Sequence, residues 1–287
     1  MRGALLARLF RRRDGRAALW FELAIGAWLF WLYDVINNLA PVRGALAVAN
    51  AESLFGVEGA LHLAPELAIN HWLAAEPLLS LIASYYYFFT HVAATVLVLA
   101  WLWWRRPAEY LRMRTQLVVI NLVAFAVFWR YPLAPPRALP QFGFVDILAV
   151  SHAAVSWHSA ALVHDANQYA AMPSLHVAWA LWCAAAIIRV VRRRVLALLA
   201  VAYPLVTVVV VIATANHFVL DVAAGAATVP VAGALSWAAA RVLALGHGTR
   251  GAAAFTAIGA SRLEPRAEGR ECEASAATAT RARLPSR

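Results

Sequence analysis

Two short segments carry the residue types that phosphoryl chemistry needs. Met172-Pro173-Ser174-Leu175-His176 puts a helix start, a hydroxyl and an imidazole together, and His217-Phe218-Val219-Leu220-Asp221 puts an imidazole and a carboxylate one helical turn apart. Arg130 and Arg137 lie upstream of both. Guanidiniums make charge-assisted, bidentate bonds to phosphate oxygens, and the free N–H groups at a helix start, with Ser174 beside them, add the positive end of its dipole. His217 can then attack phosphorus. Asp221, about 6 Å deeper along a helix axis, is placed to fix the tautomer of His217 and stabilise its charged form. His176 is left for the leaving group, as the acid that protonates the departing alkoxide and then as the base that activates whatever cleaves the phosphohistidine. The scheme calls for no metal and no cofactor. Each piece alone has a structural reading: Pro173-Ser174 as a helix start, His217 and Asp221 as a polar contact between helices, Arg130 and Arg137 as interfacial anchors.

The elements that position these residues belong to a membrane protein. The chain is 63% hydrophobic and only 14% charged, with a mean hydropathy of +0.65, and apolar runs of about 20 residues recur along it. Its net charge of +10 would suit nucleic acid, but the arginines gather at the ends of the apolar runs, where positive charge sets membrane orientation, and no nucleic-acid partner is expected. Cys183 and Cys272 fall in different environments and form neither a disulfide framework nor a metal spacing.

The expected fold is all-α, a polytopic membrane helical bundle of six transmembrane helices with outer interfacial helices. Spans are expected at residues 17–40, 78–104, 115–129, 174–191, 195–215 and 217–243. Residues 1–16 form an Arg-rich cytoplasmic N-terminus, 17–243 the catalytic membrane domain and 244–287 a disordered cytoplasmic tail. The first run reads as a retained signal anchor, because the small-residue stretch that a signal peptidase would cut lies too far beyond it. Between spans, the outer loops cover 41–77 and 130–172. In the first, Glu52, Glu58 and Glu66 break the apolar pattern and Pro65 interrupts it, which fits one or two interfacial helices. In the second, Phe144 to Val163 is apolar enough to span, yet Asp146, His152 and His158 are costly in lipid, so it reads as an interfacial lid. With both termini inside, the inner segments hold many arginines and the outer ones only Arg43, Arg130 and Arg137. This orientation puts the site on the extracytoplasmic side of the plasma membrane. Arg130, Arg137, Ser174, His176, His217 and Asp221 then share one depth. Asp34, Asn37 and Asn38, in the outer turns of the first span, are candidates to hydrogen-bond a polyol acceptor.

Three segments resemble the signature motifs of the type-2 phosphatidic acid phosphatase superfamily. Its first motif, Lys-x6-Arg-Pro, appears here as Arg130-Tyr-Pro-Leu-Ala-Pro-Pro-Arg137, with Arg for Lys and Ala138 for Pro. Its second, Pro-Ser-Gly-His, appears as Pro173-Ser174-Leu175-His176, and its third, Ser-Arg-x5-His-x3-Asp, keeps His217-x3-Asp221 with Val210 and Val211 at the Ser-Arg positions. The Leu175 variant and the Arg-less third motif are similar to inositol phosphorylceramide synthases, which move phosphoinositol between lipids. The resemblance implies a lipid phosphate substrate in the bilayer, phosphate held by Arg130, Arg137 and Ser174, and an acceptor that is either water or a polyol such as inositol. A lipid phosphatase and a phosphotransferase both stay open. A lipid carrier or channel would use the outer cations without needing His176, His217 and Asp221 together, and the soluble haloperoxidase relatives are disfavoured by the spans.

Overall fold

The computed structural model describes residues 16–39, 43–151 and 169–260. The chain divides into two compact units, residues 1–239 and 240–287, and every candidate site residue lies in the first. Helix α1 is Leu19–Leu39; α2 (Gly44–Ala60) and α3 (Glu66–Ala74) follow. Next come α4 (Pro77–Tyr85), a π-helical turn Tyr86–Thr90, α5 (His91–Arg105) and α6 (Pro107–Arg130). After a looped stretch with the single turn α7 (Ile147–Val150), the chain continues as α8 (Leu175–Val190), α9 (Arg194–Ala213) and α10 (Val219–Ala260). The protein is an all-α polytopic membrane bundle.

Among the described residues, five stretches are long and apolar enough to cross a membrane: Leu19–Ile36, Pro77–Arg105, Pro107–Arg130, Arg194–Ala213 and Val219–Leu243. The shorter α8 has 16 residues, a length of about 24 Å against a hydrocarbon core of about 30 Å. It is the bundle's internal helix. Val177, Ala178, Ala180, Trp182, Cys183 and Ala186 are all buried, and the Trp182 indole N–H donates to Met113 O of α6 at 3.0 Å. Around it, α1 and α9 turn Trp28, Trp31, Leu198 and Leu205 outward, as lipid-facing helices do. Helix α10 passes residue 243 and extends to Ala260.

The second apolar stretch is one span built from three pieces. Within it, the π turn shifts the helical register between α4 and α5, and such turns collect at functional sites. Here it brings Tyr87 and His91 to the same face, where His91 Nδ1 bonds Tyr87 O at 3.0 Å. Pro204 lies inside α9, and next to it the Thr207 and Tyr86 hydroxyls both reach Tyr203 O.

Within the expected outer segment 41–77, the described residues form two helices, α2 and α3, which pack on the loop that carries Arg137. That loop is buried but satisfied. Leu133 N donates to Tyr169 O and Ala134 N to Ala47 O, while Asn50 Nδ2 bonds Pro132 O. Of the expected lid, residues 152–163 lie outside the described residues. Phe144 to Ser151 packs instead into the bundle end, with Ile147 and Leu148 fully buried and α7 capped by the Asp146 side chain. The N-terminal 1–15 and terminal 261–287 also lie outside the described residues.

Candidate active site

His217 sits in the reversal between α9 and α10. Ala215 there takes a left-handed conformation, φ 54°, unusual for a residue with a Cβ and a form of strain that collects at functional sites. Its effect is to fold Asn216 and His217 back over α9, both N–H groups reaching Val211 O. Helix α10 then begins. Asp221 Oδ2 accepts from Phe218 N at 3.0 Å and stands 3.5 Å from His217 Nδ1, within ion-pair distance. Both side chains are buried.

His176 faces this pair from the first turn of α8, its ring centroid 5.8 Å from that of His217. Tyr87 stacks on its other side at 4.3 Å and His91 lies at 4.0 Å. Its Nε2 is buried and bonds nothing, which leaves a nitrogen ready to carry a proton. Helices α8 and α10 are locked at this point. Ser174 N donates to Asp221 O at 3.1 Å, and a Cβ on Gly225 would lie 2.4 Å from Ser174 O, so only glycine permits the approach. Ser174 itself is fully buried, its Oγ turned to Val177 N as a helix cap.

Arg137 is the cation that the fold brings to the histidines. Its Nε donates to Asn216 Oδ1 at 2.9 Å, its Nη1 lies 3.8 Å from Asp146 Oδ2, and its backbone N–H bonds Ala215 O. Asn216, adjacent to His217, is in turn held by Thr214 O and Oγ1. Arg130 ends α6 in an exposed position that suits the negative end of the helix dipole, and it does not line the cavity. Asp34 is partly buried on α1, also outside the cavity lining, and the side chains of Asn37 and Asn38 lie outside the described residues.

A cavity of about 930 Å³ opens from this site into the bundle. Arg137, Asn216, His217 and His176 form its polar end. Its body is apolar, walled by α1, α5 and α6 down to Trp103, and at the far end Glu22 and Arg114 pair at 3.4 Å. One polar mouth on a long apolar slot is the shape of an amphiphile.

A family model of the PAP2 superfamily matches residues 52–235. The chain belongs to the PAP2 superfamily. The match takes in the end of α2 and all of α3 together with the three motif segments. A phosphoinositol dihydroceramide synthase of Bacteroides thetaiotaomicron is 28% identical over 143 residues, a match covering 45% of this chain and 45% of that protein. The matched part is therefore under half the length of that relative. No solved structure matches the chain.

Sequence reading passed over several residues that complete this PAP2 site. Asn216 carries no motif signal beyond its place beside His217. His91 and Tyr87 are apolar-span residues until the π turn faces them to His176. Glu58 and Glu66 were legible only as interruptions, though each is a fully buried acid in an apolar chain, which is itself a mark of function.

Proposed function

We propose that this PAP2 protein cleaves or exchanges a lipid phosphoester through a phosphohistidine at His217, with the reacting phosphate at the outer membrane face. One observation carries the reading: His217 with Asp221, His176 and Arg137 meet at the polar mouth of an apolar slot. Hydrocarbon fills the slot and the phosphate rests against Arg137 and the first N–H groups of α8, of which those of Leu175 and His176 have no intrahelical acceptor. His217 attacks phosphorus, forming the P–N bond as the P–O bond to the leaving group breaks, and Asp221 holds the imidazolium. His176 gives its proton to the departing oxygen. It then takes one from the acceptor hydroxyl, which attacks phosphorus and releases His217. Water as acceptor makes a phosphatase, and a polyol makes a transferase.

The similarity to a phosphoinositol dihydroceramide synthase favours a polyol such as inositol. Asp34, Asn37 and Asn38 are the proposed acceptor contacts on α1. The deciding measurement follows a labelled lipid phosphoester through purified protein, with rising inositol and products resolved by mass. Label moving into an inositol-phosphate lipid supports transfer; a product ratio unchanged by any polyol leaves hydrolysis. In either case His217→Ala should lose activity about 10³-fold or more, vanadate should inhibit and chelators should not. Near-normal turnover in His217→Ala ends the phosphohistidine reading. Arg130 and Ser174 lie outside the cavity lining, so Arg130→Ala and Ser174→Ala should cost less than Arg137→Ala if Arg137 is the main phosphate holder.

A further inference from the structure

The first turn of α10 has an unusual set of partners. Its opening N–H groups have no helical acceptor, and three in succession are taken by three different buried carboxyls: Phe218 N by Asp221 Oδ2 at 3.0 Å, Val219 N by Glu66 Oε1 at 2.9 Å and Leu220 N by Glu58 Oε1 at 2.6 Å. Glu58 ends α2 and Glu66 begins α3, both fully buried. Their second oxygens, Glu58 Oε2 and Glu66 Oε2, are buried and meet no hydrogen-bond donor among the described residues. A carboxylate has no hydrogen to donate. Two such carboxyls on successive N–H groups can satisfy a free oxygen from within the pair only when one of them carries a proton.

We propose that Glu58 and Glu66 share one proton as an acid–carboxylate clamp, and that this clamp positions the His217–Asp221 turn for phosphoryl transfer. Both are positioning residues, since they act on His217 through the α10 backbone and touch no cavity atom. The placing of a nucleophile rewards such a clamp, because about 1 Å of misplacement costs on the order of 10²-fold in rate. Burial pushes the Glu58 carboxyl up to about 9, the neighbouring Glu66 and the charge of Asp221 push the same way, and the Leu220 N–H opposes them. Asp221 is the charged group of the α10 turn that acts on Glu58 beside Glu66, and on the same two helices Glu52 is bonded to Gln141 and His71 to Gly143 O. The sign follows. Below about pH 9 the proton stays and the clamp is closed; above it two adjacent carboxylates repel, the turn loosens and negative charge grows beside an anionic substrate.

The inference rests on the transfer reading for its kinetic arm and is independent of it for its spectroscopic one. Full-length protein in lipid is assayed from neutral to alkaline pH as wild type, Glu58→Gln and Glu58→Ala. In the wild type kcat should fall above about pH 9. Glu58→Gln, whose amide N–H donates permanently to Glu66 while its carbonyl still accepts from Leu220 N, should keep turnover within a few-fold at neutral pH and lose the alkaline fall. Glu58→Ala should lower kcat about 10²-fold with little change in KM. Infrared difference spectra of the wild type should show the carbonyl stretch of a buried protonated carboxylic acid at neutral pH, absent in Glu58→Gln. An alkaline fall unchanged in Glu58→Gln, or no such carbonyl band in the wild type, overturns the clamp. If the wild type turns over no lipid phosphoester, the transfer reading fails and the infrared band alone decides the clamp.

Discussion

His176 works inside a box of rings. Tyr87 stacks on one face at 4.3 Å, His91 stands at 4.0 Å and His217 waits 5.8 Å across the mouth. Stacking of this kind is worth about 0.5–1.5 kcal/mol, enough to hold an imidazole to the rotamer in which its free nitrogen meets the leaving group. Tyr87→Phe keeps the ring and should leave kcat within about twofold, whereas Tyr87→Ala should lower it up to about tenfold with the protein still folded. Equal losses in the two variants would assign the effect to the hydroxyl and not to the stack. At this scale the sequence was legible where spacing is rigid: His217 and Asp221 are one turn apart on any helix, and Pro173-Ser174 announces the start that carries His176. It was not legible where a side chain's direction depends on tertiary structure. Arg130 and Arg137 look equivalent in sequence, but one caps an exposed helix end and the other is drawn to the mouth by Asn216.

The pairing of α8 with α10 is what turns two motifs into one site, and it depends on Gly225. A Cβ there would meet the carbonyl oxygen of Ser174 at 2.4 Å, and backbone cannot step aside as a side chain tip can. Gly225→Ala should therefore separate His176 from His217, lowering thermal stability by about 1–3 kcal/mol and activity by more than stability accounts for. Gly233→Ala is the control on the same helix, since its Cβ would meet only the flexible Gln116 amide at 3.2 Å; a Gly225→Ala protein as stable and active as Gly233→Ala would refute the close-approach argument. The helices themselves were readable from composition, because a bilayer demands long apolar runs and Arg marks their ends. The partners of α2 and α3 were not. Glu58 and Glu66 reach donors 162 and 153 residues away, and no local pattern encodes a contact at that separation. The π turn was equally silent, since one extra residue per turn leaves hydropathy unchanged.

Across the whole molecule, the proposed seat of the lipid tail draws on an element outside the family match. The PAP2 match begins at residue 52, yet α1, which precedes it, supplies one wall of the cavity through Leu19, Leu23, Gly26, Phe30 and Tyr33. These positions recur at helical spacing along one face, and from residue 19 to 33 that face is about 21 Å long. A single leaflet is about half of the 30 Å hydrocarbon core, so the slot takes a chain longer than a leaflet is deep. Gly26 is the open point of this wall, with no atom within 4 Å of where its Cβ would stand. Gly26→Trp should fill the slot midway without touching the histidines. Each methylene displaced from an apolar seat forfeits about 0.8 kcal/mol, so kcat/KM for a long-chain lipid phosphoester should fall about tenfold or more. A short-chain analogue that ends before Gly26 should react as in the wild type. If both substrates fall together, the substitution has disturbed the bundle rather than the slot, and if neither falls, the hydrocarbon lies elsewhere and α1 is only a membrane anchor.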